Sequence, residues 1–157
     1  MKQFLKFSGV IAFLLTVVGF ILFMATPAIT YKGDTAFKGT EVIFGSKILF
    51  AEVKPSVLAL IAWIFVLIAM LLLLCLVVLT FVKKDLLDKF GRIGSIIVAL
   101  LLILAAIFSF FTVPTFYSAN GGSAPDGISL GVGWIIGAIL LILAGGLTIC
   151  PLILKKK

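Results

Sequence analysis

The sequence has no histidine, few charged residues and only two cysteines. Histidine is the side chain most used for acid–base catalysis near neutral pH, and it is the commonest metal ligand. Cys75 and Cys150 each stand alone in an apolar stretch, with no CxxC motif, so the sequence predicts neither a redox dithiol nor a four-ligand metal site. We expect no cofactor and no metal, and we expect both thiols to act as small buried hydrophobic groups.

The scarcity of charge excludes a soluble fold. Of the 157 residues, 12% are charged and 63% are hydrophobic, whereas soluble domains are about 25% charged and about 45–50% apolar. Disordered chains need a polar composition, which is also missing. The composition predicts an all-α membrane protein whose main solvent is the lipid bilayer.

Four apolar runs approach or exceed the roughly 20 residues that a helix needs to cross a hydrocarbon core. The first run is too long for the h-region of a signal peptide, so we interpret it as a retained helix. The sequence therefore predicts a four-transmembrane-helix bundle forming a single integral membrane domain, residues 1–157. The predicted spans are 7–28, 56–82, 93–113 and 130–154, the outer loops are 29–55 and 114–129, and the inner loop is 83–92.

Basic residues are distributed unevenly between the two ends of these spans. Nine Lys and Arg residues flank the end that carries the termini, and four flank the other end. The positive-inside bias then predicts a multi-pass plasma-membrane protein with cytoplasmic N- and C-termini. Lysine outnumbers arginine twelve to one, and Ile and Phe are abundant, which favours an AT-rich bacterial source. We expect five inner lysines to contact anionic lipid: Lys83, Lys84, Lys155, Lys156 and Lys157. We expect no nucleic-acid binding, because that requires stacking aromatic residues among the basic ones.

The first outer loop contains two strand-like runs, 38–44 and 47–53, on either side of Gly45-Ser46. This pattern predicts a small extracytoplasmic β-hairpin, with an outward extension of the second helix over 47–53 as the alternative. The apolar side of the hairpin would either cap the helix ends or form a surface for a partner protein, and it consists of Val42, Phe44, Ile48 and Phe50. The second outer loop is rich in turn residues and predicts a flexible linker.

Small residues indicate where helices approach closely. Gly133, Gly137 and Ala144 share one face of the fourth span, and Ser95 and Ala99 share one face of the third. The small-xxx-small pattern permits close backbone contact. We expect these two faces to pack together, or else to form an oligomer interface.

The predicted spans contain no Asp, Glu, Lys, Arg or His, whereas transporters and proton relays usually carry at least one such residue. Their Ser and Thr hydroxyls are expected to bond their own helix backbone. We therefore predict a non-enzymatic accessory, scaffold or partner-binding subunit, acting through the first outer loop and the small-residue faces on a membrane-protein partner or on itself. The alternatives are a small homo-oligomeric channel lined by Ser109, Phe110 and Thr112, and a lipid enzyme using Asp85 and Asp88 at the inner surface.

The order and lengths of the segments resemble those of claudin-like tetraspan proteins, with cytoplasmic termini, a longer strand-prone first outer loop and a shorter second one. The Trp, Gly-Leu-Trp and paired-Cys signature of that first loop is missing here, so the resemblance implies no junctional function. The segment Phe108-Ser109-Phe110-Phe111-Thr112 is similar to the phenylalanine and hydroxyl pore linings of fluoride channels. The uneven charge count argues against that family.

Overall fold

The computed structural model describes residues 2–48, 51–82 and 84–154. The chain is mostly helical, with a small antiparallel sheet and a separate hairpin. The elements in chain order are α1 (Lys2–Ala25), β1 (Pro27–Tyr31), β2 (Asp34–Lys38), α2 (Gly39–Phe44), β3 (Ser46–Ile48), β4 (Ala51–Val53), α3 (Val57–Val82), α4 (Lys84–Phe110), α5 (Thr112–Ala119), β5 (Ile128–Leu130) and α6 (Val132–Leu154).

Four helices are long and apolar enough to cross a membrane, judged by length and composition. The apolar segments are Phe7–Ala25, Val57–Val82, Gly91–Phe110 and Val132–Ile153. Each overlaps one predicted span, which confirms four membrane-spanning candidates and indicates a multi-pass membrane protein.

The four long helices form one bundle. Helix α6 packs between α1 and α4, while α3 packs mainly against α4 and less extensively against α1. Small side chains fill much of the interior, because small residues allow apolar helices to approach closely. Fully buried alanines include Ala12, Ala59, Ala62, Ala69, Ala105, Ala106, Ala138 and Ala144.

The three-stranded sheet has the order β2-β1-β5, with both pairs antiparallel. Strands β1 and β2 are joined by Lys32 and Gly33, which both have positive φ, 49° and 95°. Two positive φ values form the turn that matches the natural twist of a hairpin. The sheet thus uses residues 27–38 and a strand from the second outer segment, and not the predicted run 38–44.

The strand predicted over 38–44 is wrong, because residues Gly39–Phe44 form helix α2. The backbone N–H of Lys38 donates to Glu41 Oε2 at 2.8 Å, which satisfies a donor at the helix start. Val42 and Ile43 are both fully buried. Two adjacent buried side chains suit a helix pressed into a core, whereas a strand sends neighbours to opposite faces.

The alternative helical extension over 47–53 is also wrong. Ser46–Ile48 and Ala51–Val53 form the antiparallel hairpin β3–β4, in which Lys47 pairs with Glu52. Helix α3 begins at Val57, and Ser56 Oγ accepts the N–H of Ala59 at 3.4 Å, as a helix N-cap does.

Four other boundaries differ from the prediction. Helix α1 ends at Ala25 because Pro27 opens β1, and Leu130 belongs to β5 and not to the fourth span. Helix α4 begins at Lys84, so the predicted inner loop 83–92 is largely helical. The predicted linker begins as helix α5, whose first turn accommodates Pro114 because the N–H groups there need no helical partner.

Candidate functional site

The non-membrane elements gather at one end of the bundle. We call this region the cap, defined as residues 26–55 and 111–131. Its strands and short helices connect the end of α1 to the start of α3, and the end of α4 to the start of α6. The cap is the part of the fold in which sequence-distant segments bring polar and aromatic side chains together.

The cap is fixed to the bundle by a close backbone contact. A Cβ on Gly39 would overlap the carbonyl oxygen of Phe23 and lie 3.1 Å from Trp134 Nε1. Phe23 and Trp134 are each 1% exposed, and their rings lie 4.8 Å apart. Trp134 Nε1 is buried and has no hydrogen-bond partner among residues 2–48, 51–82 and 84–154. Glycine at position 39 therefore lets α2 sit directly on the end of α1.

Aromatic contacts join α5 to the sheet. Phe116 is buried, and its ring lies 4.7 Å from that of Phe37 and 5.6 Å from that of Tyr117. Partial burial raises the pKa of the Tyr117 phenol above its usual 10.0, so the phenol stays neutral at physiological pH. These rings make α5 part of the folded cap.

Side-chain hydrogen bonds connect the two halves of the cap. The Lys54 N–H donates to Asn120 Oδ1 at 2.8 Å, and Asn120 Nδ2 donates to the Lys54 carbonyl at 3.0 Å. The hydroxyls of Ser56 and Thr115 bond each other at 2.7 Å. Ser56 N–H also donates to the Val42 carbonyl at 2.8 Å. Residues 54–56, just before α3, are therefore bonded both to α2, through Val42, and to the α5 region, through Thr115 and Asn120.

A cleft of about 250 Å³ lies beside the β3–β4 hairpin. Its lining combines a flat apolar part with charged side chains, and includes Phe44, Ser46, Lys47, Glu52 and Lys54. Gly45 forms part of its wall with a φ of 77°, and a Cβ there would lie 2.7 Å from the Val53 carbonyl oxygen. Any larger residue at position 45 would disturb this wall.

The residues of the predicted hairpin surface do not form one surface in the structure. Val42 is fully buried and so contributes to the cap core, whereas Phe44 is 49% exposed. The Phe44 ring packs edge-on against Trp63 of α3, with centroids 5.0 Å apart. Phe50 and the side chain of Ile48 lie outside the described residues.

The small residues of α6 face α1, and not mainly α4 as expected. A Cβ on Gly133 would overlap the Thr26 side chain, and one on Gly137 would lie 2.8 Å from Phe23 Cε1. The contact with α4 occurs farther along, where a Cβ on Gly145 would lie 3.4 Å from the Ala99 carbonyl oxygen. Ala99 and Ala144 are fully buried, and Ser95 is half-buried.

Six of the hydroxyl groups in or beside the long helices bond the backbone of their own segment, as the sequence predicts. Thr16, Thr80, Ser109 and Thr148 donate to the carbonyl four residues earlier at 2.7–2.8 Å, Thr26 does so at 2.6 Å just after α1, and Thr112 of α5 bonds Phe108 at 3.5 Å. Of the predicted channel residues, Ser109 and Thr112 are fully buried while Phe110 is 45% exposed on the outside of α4. The three therefore do not line a common path within one chain.

The exposure of the two thiols differs from the prediction that both are buried. Cys75 is exposed and Cys150 is half-buried, because the outer faces of an apolar bundle need not be polar. In residues 2–48, 51–82 and 84–154, no group of three or more His, Cys, Asp or Glu is placed to hold a metal. The side chains of Lys84, Asp85 and Asp88, together with Lys83 and Lys155–Lys157, lie outside the described residues.

Comparison with known proteins assigns this chain to no family. The chain matches no protein family model, no curated protein sequence and no solved structure. The cap and the bundle are therefore the basis for any proposal on function.

Sequence reasoning missed the residues that shape the cleft and the joint beside it. Asn120 occurred in a turn-rich segment and Ser56 at a helix start, and neither position indicates a partner about 60 residues away in the chain. The glycine content gave one usable signal, since Gly45 separates two apolar runs.

Proposed function

We propose that this protein is a non-enzymatic accessory or partner-binding subunit of a plasma membrane, and that the cap is the part that recognises its partner. The observation that carries this proposal is the rigid attachment of the cap. Its core residues are buried against α1 and α6, so it offers a fixed surface and not a mobile loop. Loops positioned by a rigid scaffold often carry binding functions.

The tip of the β1–β2 hairpin is the part of the cap that we assign to partner contact. Tyr31 is 43% exposed, and Lys32 Nζ lies 5.4 Å from the centre of its ring. Tyrosine is one of the residues most often found at the energetic centres of protein interfaces. The small-residue faces are less suitable, because Gly133 and Gly137 already contact α1 in the same chain.

A homo-oligomeric channel is a weaker proposal. A pore between copies would have to use the outer faces of the helices. Beyond Arg92, the large exposed side chains of α4 are aliphatic or aromatic: Ile93, Ile96, Ile97, Leu100, Leu104, Ile107 and Phe110. The buried hydroxyls of Ser109 and Thr148 are already occupied by backbone carbonyls. Such faces supply no polar lining for an ion or solute.

Photo-crosslinking in the source membrane tests the partner proposal. A photoreactive phenylalanine analogue at Tyr31 is expected to capture one larger membrane protein as a discrete adduct. The same analogue at Ile139, which is 47% exposed on α6, is the control and is expected to react with lipid. Adducts only between copies of this chain would overturn the proposal in favour of self-association.

A further inference from the structure

The cleft beside the β3–β4 hairpin lies next to the start of a spanning helix. Lys54 precedes the first residue of α3, Val57, by three positions. The 26 residues of α3 rise about 39 Å at 1.5 Å per residue, whereas a hydrocarbon core is about 30 Å thick. The start of α3 and the residues before it therefore reach the level of the lipid headgroups.

The cleft carries charges of both signs. Lys47 and Glu52 are direct partners across the hairpin, so their side chains share one face of it. Lys54 follows the last residue of β4 and lines the same cleft. All three residues are exposed. Two ammonium groups and one carboxylate complement a ligand that contains both a phosphate and an ammonium ion.

An apolar path leads from the cleft along the bundle. Phe44 lines the cleft and contacts Trp63 at a centroid distance of 5.0 Å. Beyond Trp63 the exposed residues Ile64, Ile68 and Leu71 continue down one side of α3. An acyl chain attached to a headgroup in the cleft would run along these side chains.

We propose that this cleft binds the headgroup of an aminophospholipid, with the phosphate held by Lys47 and Lys54 and the ammonium group held by Glu52. Phe44 and the exposed side of α3 receive the acyl chains. This site goes beyond the partner-binding role, and it requires no protein partner.

Native mass spectrometry of the purified full-length chain, released from nanodiscs of equimolar phosphatidylethanolamine and phosphatidylglycerol, tests the proposal. The wild-type protein is expected to retain phosphatidylethanolamine about threefold to fivefold more than phosphatidylglycerol, the effect of one partly exposed charge pair. Glu52→Gln is expected to remove this preference while retaining bound lipid. Lys47→Gln combined with Lys54→Gln is expected to reduce retention of both lipids.

Charge changes elsewhere on the cap are the matched controls. Asp34→Asn and Lys38→Gln alter exposed residues at the two ends of β2, outside the cleft lining, and are expected to leave lipid retention unchanged. Equal retention of the two lipids by the wild type, or an unchanged preference in Glu52→Gln, would overturn the proposal. Displacement of the lipid by an equal concentration of soluble glycerophosphoethanolamine would overturn the role of the acyl chains. Thermal unfolding of each variant verifies that it is folded, and loss of a protein partner affects none of these readouts.

Discussion

Replacement of Gly137 by alanine should separate close helix packing from helix propensity. The new Cβ would lie 2.8 Å from Phe23 Cε1 and 3.1 Å from Cδ1. Ordinary carbon–carbon contacts are about 3.5–4.0 Å, so the ring would have to retreat by roughly 0.7 Å or more. Phe23 is 1% exposed, and its ring lies 4.8 Å from that of Trp134, so it has little room to move.

The expected cost follows from a control on the same helix. Gly146→Ala places its Cβ in open space, with nothing within 4 Å. Both changes gain up to about 1 kcal/mol of helix propensity, but only Gly137→Ala adds the overpacking cost of about 1–3 kcal/mol. Because the propensity gain cancels, Gly137→Ala should be about 1–3 kcal/mol less stable than Gly146→Ala.

Reversible unfolding in mixed micelles, driven by SDS and followed by tryptophan fluorescence, measures this difference. Phe23→Leu provides space beside position 137. Gly137→Ala should therefore destabilise the Phe23→Leu protein less than it destabilises the wild type. Equal stability of Gly137→Ala and Gly146→Ala would refute the close contact between α1 and α6.

Three further predictions concern the cap and the thiols. Asn120→Ala removes side-chain bonds of 2.8–3.0 Å to Lys54 and Phe116 and should lower the free energy of unfolding by about 1–2 kcal/mol, whereas Ser118→Ala on the same short helix should not. Gly45→Ala would force alanine to a φ of 77° and bring its Cβ too close to the Val53 carbonyl oxygen. The free energy of unfolding should therefore fall by about 1–3 kcal/mol, and Gly122→Ala, whose Cβ lies in open space, is the control. A lipid-soluble maleimide should label exposed Cys75 faster than half-buried Cys150. Mass spectrometry of the Cys75→Ser and Cys150→Ser variants assigns each labelling rate to its thiol. Faster labelling of Cys150 would contradict the orientation of α3.

The spanning helices were predictable because hydrophobic length alone specifies them. The cap was less predictable, since its geometry depends on contacts between distant segments. Strand β5 pairs with β1 across about 100 residues of chain, and nothing in the turn-rich sequence before it indicates that pairing. The helical form of 39–44 depends on the fit of Gly39 against the Phe23 carbonyl.

The packing partners of the small residues were not predictable for a related reason. In an apolar helix the lipid-facing and protein-facing residues have similar hydropathy, so a Gly-xxx-Gly pattern identifies a contact face without identifying its partner. The structure assigns Gly133 and Gly137 to α1, and Gly145 to α4. The local bonds of the hydroxyls, by contrast, follow directly from sequence because donor and acceptor are four residues apart.

Native mass spectrometry after gentle extraction from the source membrane tests the partner-binding role of the cap, since it records which proteins leave the membrane with this chain. We expect a reproducible heteromer with a larger membrane protein, diminished in a Tyr31→Ser, Lys32→Ser variant that remains folded. A closed homo-oligomer without a companion protein, unaffected by that variant, would contradict the assignment of the cap as a partner-binding surface.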